Sequence, residues 1–108
     1  MSVQLPEAVA RVVDAVNTAD TEAFVQAFTP DGAVDDWGRV LAGPDGVRSW
    51  ADSDAIGAGA RMTVLSADTD GDTTHLRFEW SSRVFNGESE AYVTVSGDKV
   101  DLFRIPPA

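Results

Sequence analysis

Cysteine is absent from this 108-residue chain, so neither a disulfide framework nor thiolate chemistry is open to it. Positive charge is scarce: eight Lys and Arg stand against eighteen Asp and Glu, for a net charge of −10. Such a field repels phosphate backbones and anionic lipid, which excludes nucleic acid and a membrane surface as natural partners. No apolar run approaches the ~20 residues that cross a bilayer. The stretch Met1-Ser2-Val3-Gln4-Leu5-Pro6-Glu7 has neither the basic region nor the apolar core of a signal peptide, and a cytoplasmic location is the expectation. The glycines form no phosphate-binding fingerprint, and no Ser, His and Asp arrangement is legible. What remains is a hydrophobic fraction of 44% with 24% charged residues, the balance of an ordinary globular protein, expected as one domain over residues 1–108.

Apolar periodicity organises the chain. Leu5, Val9, Val12, Val13 and Val16 recur at helical spacing behind Pro6 and Glu7, predicting a helix from Pro6 to Asn17. Asp20 suits the N-cap of a second helix, with Phe24, Ala27 and Phe28 as its apolar stripe and Pro30-Asp31-Gly32 as its stop. Pro44 and Asp45 open a third, burying Val47, Trp50, Ala51 and Ile56 before Gly57-Ala58-Gly59. The period then changes to two. Met62, Val64 and Ser66 share one strand face, and Asp70-Gly71 predicts a hairpin. Leu76, Phe78, Trp80, Ser82 and Val84 alternate with His75, Arg77, Glu79, Ser81 and Arg83 as far as an Asn86-Gly87 turn. Two further strands follow, Glu88 to Ser96 and Lys99 to Ile105. A strand over 73–85 would span ~40 Å if straight, so the mainly antiparallel sheet is expected to be strongly curved and wrapped around the helices, leaving a pocket at its open end.

The stretch Ala33 to Pro44 holds the one convergence of acids, an aromatic and special backbone residues. In an extended segment Val34 and Asp36 share one face, while Ala33, Asp35 and Trp37 share the other. One aspartate is therefore expected to point inward. Asp36 is the candidate catalytic residue, because a carboxylate among Trp and Phe side chains loses hydration and becomes a better base. Its alternative role is to cap a turn or to pair with Arg39 or Arg48. Phe24, Phe28, Trp50, Met62, Phe78 and Trp80 are the candidate pocket lining for an apolar small molecule, with plain core as the alternative for each. Asp35 and Trp37 read as surface or interface residues. His75, the single histidine, shares its face with Arg77, Glu79 and Arg83. Asp68, Asp70, Asp72 and Glu79 have calcium-loop spacing, but Thr73 stands where Gly is required, so a solvated hairpin tip is the better reading. No metal or organic cofactor is called for.

Four segments, Val16 to Asp20, Phe24 to Asp36, Gly43 to Trp50 and Val93 to Val100, stand in the order and spacing of the nuclear transport factor 2-like superfamily. The chain resembles this superfamily, with its SnoaL-like polyketide cyclases and ketosteroid isomerases, over nearly its whole length. The resemblance implies an α+β cone, three N-terminal helices packed on the curved sheet around a deep pocket, and a homodimer formed through the outer sheet face. Mixed charge with Tyr92, Thr94 and Phe85 on that face is compatible with such an interface. In similar isomerases a pocket aspartate placed like Asp36 shuttles a proton, assisted by hydrogen-bond donors at positions corresponding to Val12 and Ala91. Neither residue can donate from its side chain, which argues against steroid isomerisation. A noncatalytic dimerisation or ligand-carrier domain is the alternative function.

Overall fold

The computed structural model describes residues 3–107; Met1 and Ser2, which belong to the stretch weighed above as a leader, and Ala108 lie outside the described residues. Two helices, α1 (Glu7–Asn17) and α2 (Thr21–Gln26), precede strands β1 (Phe28–Asp36) and β2 (Arg39–Ala42). Helix α3 (Gly43–Asp54) and a 3-10 turn (Ile56–Ala58) then lead into β3 (Arg61–Asp70), β4 (Thr73–Ser81), β5 (Asn86–Ser96) and β6 (Lys99–Ile105). The fold is α+β, three helices on one six-stranded sheet of order β2-β1-β6-β5-β4-β3. Among the described residues only β1 and β6 run parallel; every other neighbouring pair is antiparallel. Two helices thus lie at the N-terminus and the third follows the first hairpin. Among the described residues no helix is long and apolar enough to cross a membrane.

Helix α1 forms where its periodicity places it. Ala8, Val9, Val12, Val13, Ala15 and Val16 are all buried, against β3, β5, β6 and α2. Each valine so buried contributes about 1.5–3 kcal/mol at most relative to exposure. The helix ends on Asn17, whose amide Nδ2 donates to the Met62 carbonyl at 2.8 Å while its Oδ1 accepts the Met62 N–H at 2.7 Å. Strand β3 is a sheet edge, and Asn17 supplies there the pair of bonds that a neighbouring strand would make.

Helix α2 is shorter than its apolar stripe suggests. Asp20 caps it, accepting the Ala23 N–H at 3.0 Å, but the helix stops at Gln26 and β1 begins at Phe28. Phe28 is therefore a strand residue, and Pro30-Asp31-Gly32 is not a helix stop. The segment sits in an irregularity of the β1–β6 ladder between Phe28↔Val100 and Ala33↔Leu102, where the missing Pro N–H breaks no regular pairing. A Cβ on Gly32 would lie 3.0 Å from the carbonyl oxygens of Thr29 and Val100, so the strands approach here as closely as they do because the residue is glycine.

Three further boundaries differ from the sequence pattern. The 3-10 turn takes Ile56 off the end of α3, leaving Val47, Trp50 and Ala51 as the helix's buried face. In β3 a bulge at Leu65 shifts the register, pairing Val64 with Phe78 but Ser66 with Arg77. Ala67 rather than Ser66 thereby rejoins the core beside Val64. Strand β4 ends at Ser81, and the loop Ser82–Phe85 replaces the expected Asn86-Gly87 turn, both of those residues lying in β5. The Ser82 hydroxyl accepts the Val84 and Phe85 N–H groups at 3.2 and 3.1 Å and donates to the Phe85 carbonyl at 3.1 Å. That local competition ends the strand early and leaves Val84 62% exposed. Leu76, Phe78 and Trp80 remain buried on the inner face as their alternation predicts.

Candidate functional site

The β1–β2 hairpin builds the site. Trp37 and Gly38 form its two-residue turn with φ of 55° and 89°, closing the Asp36↔Arg39 pair, and the Gly38 N–H donates to Asp35 Oδ1 at 2.9 Å. Both central residues having positive φ is the mirror-image turn that suits strand twist, but position one ordinarily holds Asn, Asp or Gly. A tryptophan there is unusual and strained. The backbone reversal brings Trp37 round to the mouth of the hollow described below, although its place in the extended pattern put it on the opposite face from Asp36.

Because β2 runs straight into α3, the helix returns along β1. Trp50 is seven residues into α3, about 10 Å along its axis, and arrives level with the end of β1. Its indole N–H donates to Asp36 Oδ2 at 3.1 Å. Arg39 donates to the same oxygen at 3.3 Å and to Asp54 Oδ2, from the last turn of α3, at 2.9 Å. The Asp54 hydrogen bond and charge, with a smaller contribution from Asp36, raise the Arg39 pKa above its already high ordinary value, so its charge is permanent. With Oδ2 held twice, Oδ1 of Asp36 has no protein donor among the described residues, and the side chain is 22% exposed. Arg48, the other cation considered for Asp36, pairs instead with Glu22 at 2.6 Å.

A hollow of about 510 Å³ lies beside Asp36. Strand β6 ends at Ile105, whereas the β5–β6 pairing starts only at Tyr92↔Arg104, so Asn86 to Glu90 of β5 run on past the end of their neighbour. The hollow occupies that gap. Asp36, Trp50, Phe78 and Trp80 line its interior portion, joined by Trp37, Asp54, Val84 and Phe85 from the surrounding turns and by Ile105 and Pro106 from the end of β6. Arg77, Glu88, Ser89 and Glu90 complete it. Arg77 pairs with Glu88 at 2.5 Å and His75 with Glu90 at 2.7 Å.

Phe24, Phe28 and Met62 are not part of the lining. They are buried to within 4% of full enclosure and belong to the core behind it. The aromatic chain explains the division: the Phe24 ring lies 5.2 Å from Phe28 and 5.9 Å from Trp50, and Trp50 in turn lies 6.0 Å from Trp80. Trp50 is the junction, its body in the core and its N–H on Asp36. Val12 and Ala91, the positions weighed for oxyanion donors, are wholly enclosed core residues. His75 stacks on Tyr92 with ring centroids 4.6 Å apart. Asp70 and Asp72 flank the tip of the β3–β4 hairpin, while Glu79 is far along β4. The acids at the β5 end of the hollow and the part played by Trp37 escaped the sequence reading; the unusual Trp-Gly hairpin turn was the one available signal for the latter.

A SnoaL-like domain model matches residues 9–106. The chain belongs to the SnoaL-like domain family. With it comes membership of the nuclear transport factor 2-like superfamily, in agreement with the fold. No curated protein matches the chain. Among solved structures, this SnoaL-like chain is similar to a protein assigned as a polyketide cyclase from Sinorhizobium meliloti, at 25% identity and a TM-score of 0.82 over 94% of both chains. The epoxide hydrolase/cyclase-like enzyme SalBIII, of pyran ring formation in salinomycin, is 20% identical with a TM-score of 0.82, over 93% of this chain and 87% of that one. A ketosteroid isomerase-like fold from Catenulispora acidiphila, solved in complex with trimethylamine, is 16% identical with a TM-score of 0.80, over 97% and 88%.

Proposed function

We propose that this SnoaL-like domain binds a small organic molecule in the hollow beside Asp36, and that Asp36 is the group that exchanges a proton with it in an isomerisation or cyclisation. The observation carrying this reading is the Asp36 carboxylate, which has one oxygen held by Trp50 and Arg39 and the other without a protein donor among the described residues, at the wall of a largely apolar hollow. A volume of about 510 Å³ is in the range that encloses drug-sized molecules. A base at Oδ1 would take a proton next to a carbonyl, while Trp50 and Trp80 orient the substrate and keep water out. The similarity to two cyclase-type proteins and to one solved with a small amine supports a small-molecule role for a hollow of this fold.

The second reading, a noncatalytic carrier, is favoured by the donor inventory. The Trp50 N–H is committed to Asp36, the Trp80 N–H to Ser82 Oγ at 3.2 Å, and Val12 and Ala91 have nothing to donate to a developing oxyanion. Thermal-shift screening of steroids and polycyclic aromatics against the wild type and Asp36→Asn separates the two. A ligand that stabilises both proteins but is turned over only by the wild type supports the base, and stabilisation with no turnover by either supports the carrier. Within the same proposal the protein is a cytoplasmic homodimer associated through the outer sheet face, with no cofactor. Light scattering at micromolar concentration would then give about twice 11.5 kDa, and a mass of one chain would remove the dimer.

A further inference from the structure

We infer that the ligand of this hollow is an organic cation, an ammonium ion bearing apolar or aryl substituents, an assignment that rests on the binding reading above. Asp36 and Asp54 bring two carboxylates to the inner wall of the hollow, while Glu88 and Glu90 border it with their side chains on the outer sheet face, paired with Arg77 and His75. Arg39, paired with both Asp36 and Asp54, leaves a local excess of one negative charge on that wall. The chain as a whole carries −10, so the far field has the same sign as the near field. Both concentrate cations at the mouth and turn carboxylates and phosphates away.

The walls agree with the charge. All three tryptophans of the chain, Trp37, Trp50 and Trp80, line this one hollow. Indole is the aromatic surface that attracts an ammonium most strongly, and the attraction grows as water is excluded. Asp36 Oδ1, with no protein donor among the described residues, can accept from the N–H of a primary to tertiary ammonium or face the charge of a quaternary one. The strain at Trp37 points the same way. A 58% exposed indole contributes little to folding, yet it occupies a left-handed turn position where Gly is at ease, and what it gains there is a place at the hollow's edge.

The test uses phenyltrimethylammonium and its uncharged isostere tert-butylbenzene, titrated into the full chain and followed through the three indole N–H signals by NMR. The cation is expected to bind roughly tenfold more tightly, with an advantage that shrinks between about 20 and about 500 mM NaCl. Asp54→Asn, which removes one of the two inner-wall carboxylates, should reduce the preference roughly threefold, and Trp37→Leu should reduce it while leaving the other two indole signals in place. Equal or tighter binding of tert-butylbenzene overturns the cation assignment and leaves the binding reading intact. Failure of both compounds to move any indole signal overturns the assignment together with the binding reading.

Discussion

Removing the Asp36 carboxylate leaves a defined energetic trace through Trp50. The indole is 2% exposed, and its N–H donates to Asp36 at 3.1 Å. Asp36→Ala abolishes a hydrogen bond to a charged acceptor and strands a donor with little access to water, a loss of about 1.5–3 kcal/mol. The Arg39 contact adds little, because Arg39 is 54% exposed and keeps Asp54 at 2.9 Å; about 0.2–1 kcal/mol is a ceiling for such a pair. Asp36→Asn retains an acceptor for the indole and should cost less than about 1.5 kcal/mol. Urea unfolding of Asp36→Ala, Asp36→Asn, Trp50→Phe and the double variant Asp36→Ala/Trp50→Phe measures these terms. Since Trp50→Phe removes the donor while keeping most of the ring, the cycle should show a coupling of roughly 1–2 kcal/mol between the two positions. A coupling near zero, or an Asp36→Ala variant no less stable than Asp36→Asn, would refute the reasoning, since Trp50 would then not depend on this acid.

Other perturbations probe the supports of the site. Trp37→Gly should raise stability by about 0.5–1 kcal/mol by relieving the left-handed strain while weakening ligand binding, measured by denaturation and by the NMR titration above. Asn17→Ala should cost about 2 kcal/mol in denaturation, because the Met62 N–H and carbonyl on the free edge of β3 lose their partners together. Gly57→Ala should destabilise by at least about 2 kcal/mol, since its Cβ would sit 1.7 Å from the Asp52 carbonyl oxygen and force the α3 terminus apart; a melting temperature lower by roughly 8 °C or more is the expected readout. Ser82→Ala should speed amide hydrogen exchange at Val84 and Phe85, whose N–H groups it would leave without their acceptor.

The parts of this molecule that were legible in its sequence are those where one periodicity dominates a whole element. The valine stripe of α1 and the Leu76, Phe78, Trp80 alternation of β4 are buried as their spacing demands, because each faces the core over its whole length. Where two local signals compete, the pattern failed. Phe24, Ala27 and Phe28 fit a helix stripe equally well whether Phe28 is the last helical residue or the first of β1, and the ladder to Val100 decides. Asn86-Gly87 is a strong turn signal, yet the Ser82 hydroxyl makes its turn four residues earlier. At the site, the pairing of Asp36 with Arg39 is the alternative role that the sequence offered for it, and its inward face followed from strand alternation. The approach of Glu88 and Glu90 did not, because it depends on β6 ending before the start of β5, a property of strand lengths that no single segment displays.

The most direct test of a ligand-accepting hollow at Asp36 is the carboxyl carbon NMR signal of that residue, followed together with the three indole N–H signals during titration with phenyltrimethylammonium. The four signals should move together and saturate at one concentration, with the His75 and Tyr92 signals of the outer sheet face unmoved. A titration that shifts His75 and Tyr92 while Asp36 and Trp50 stay fixed would place binding elsewhere and contradict the site.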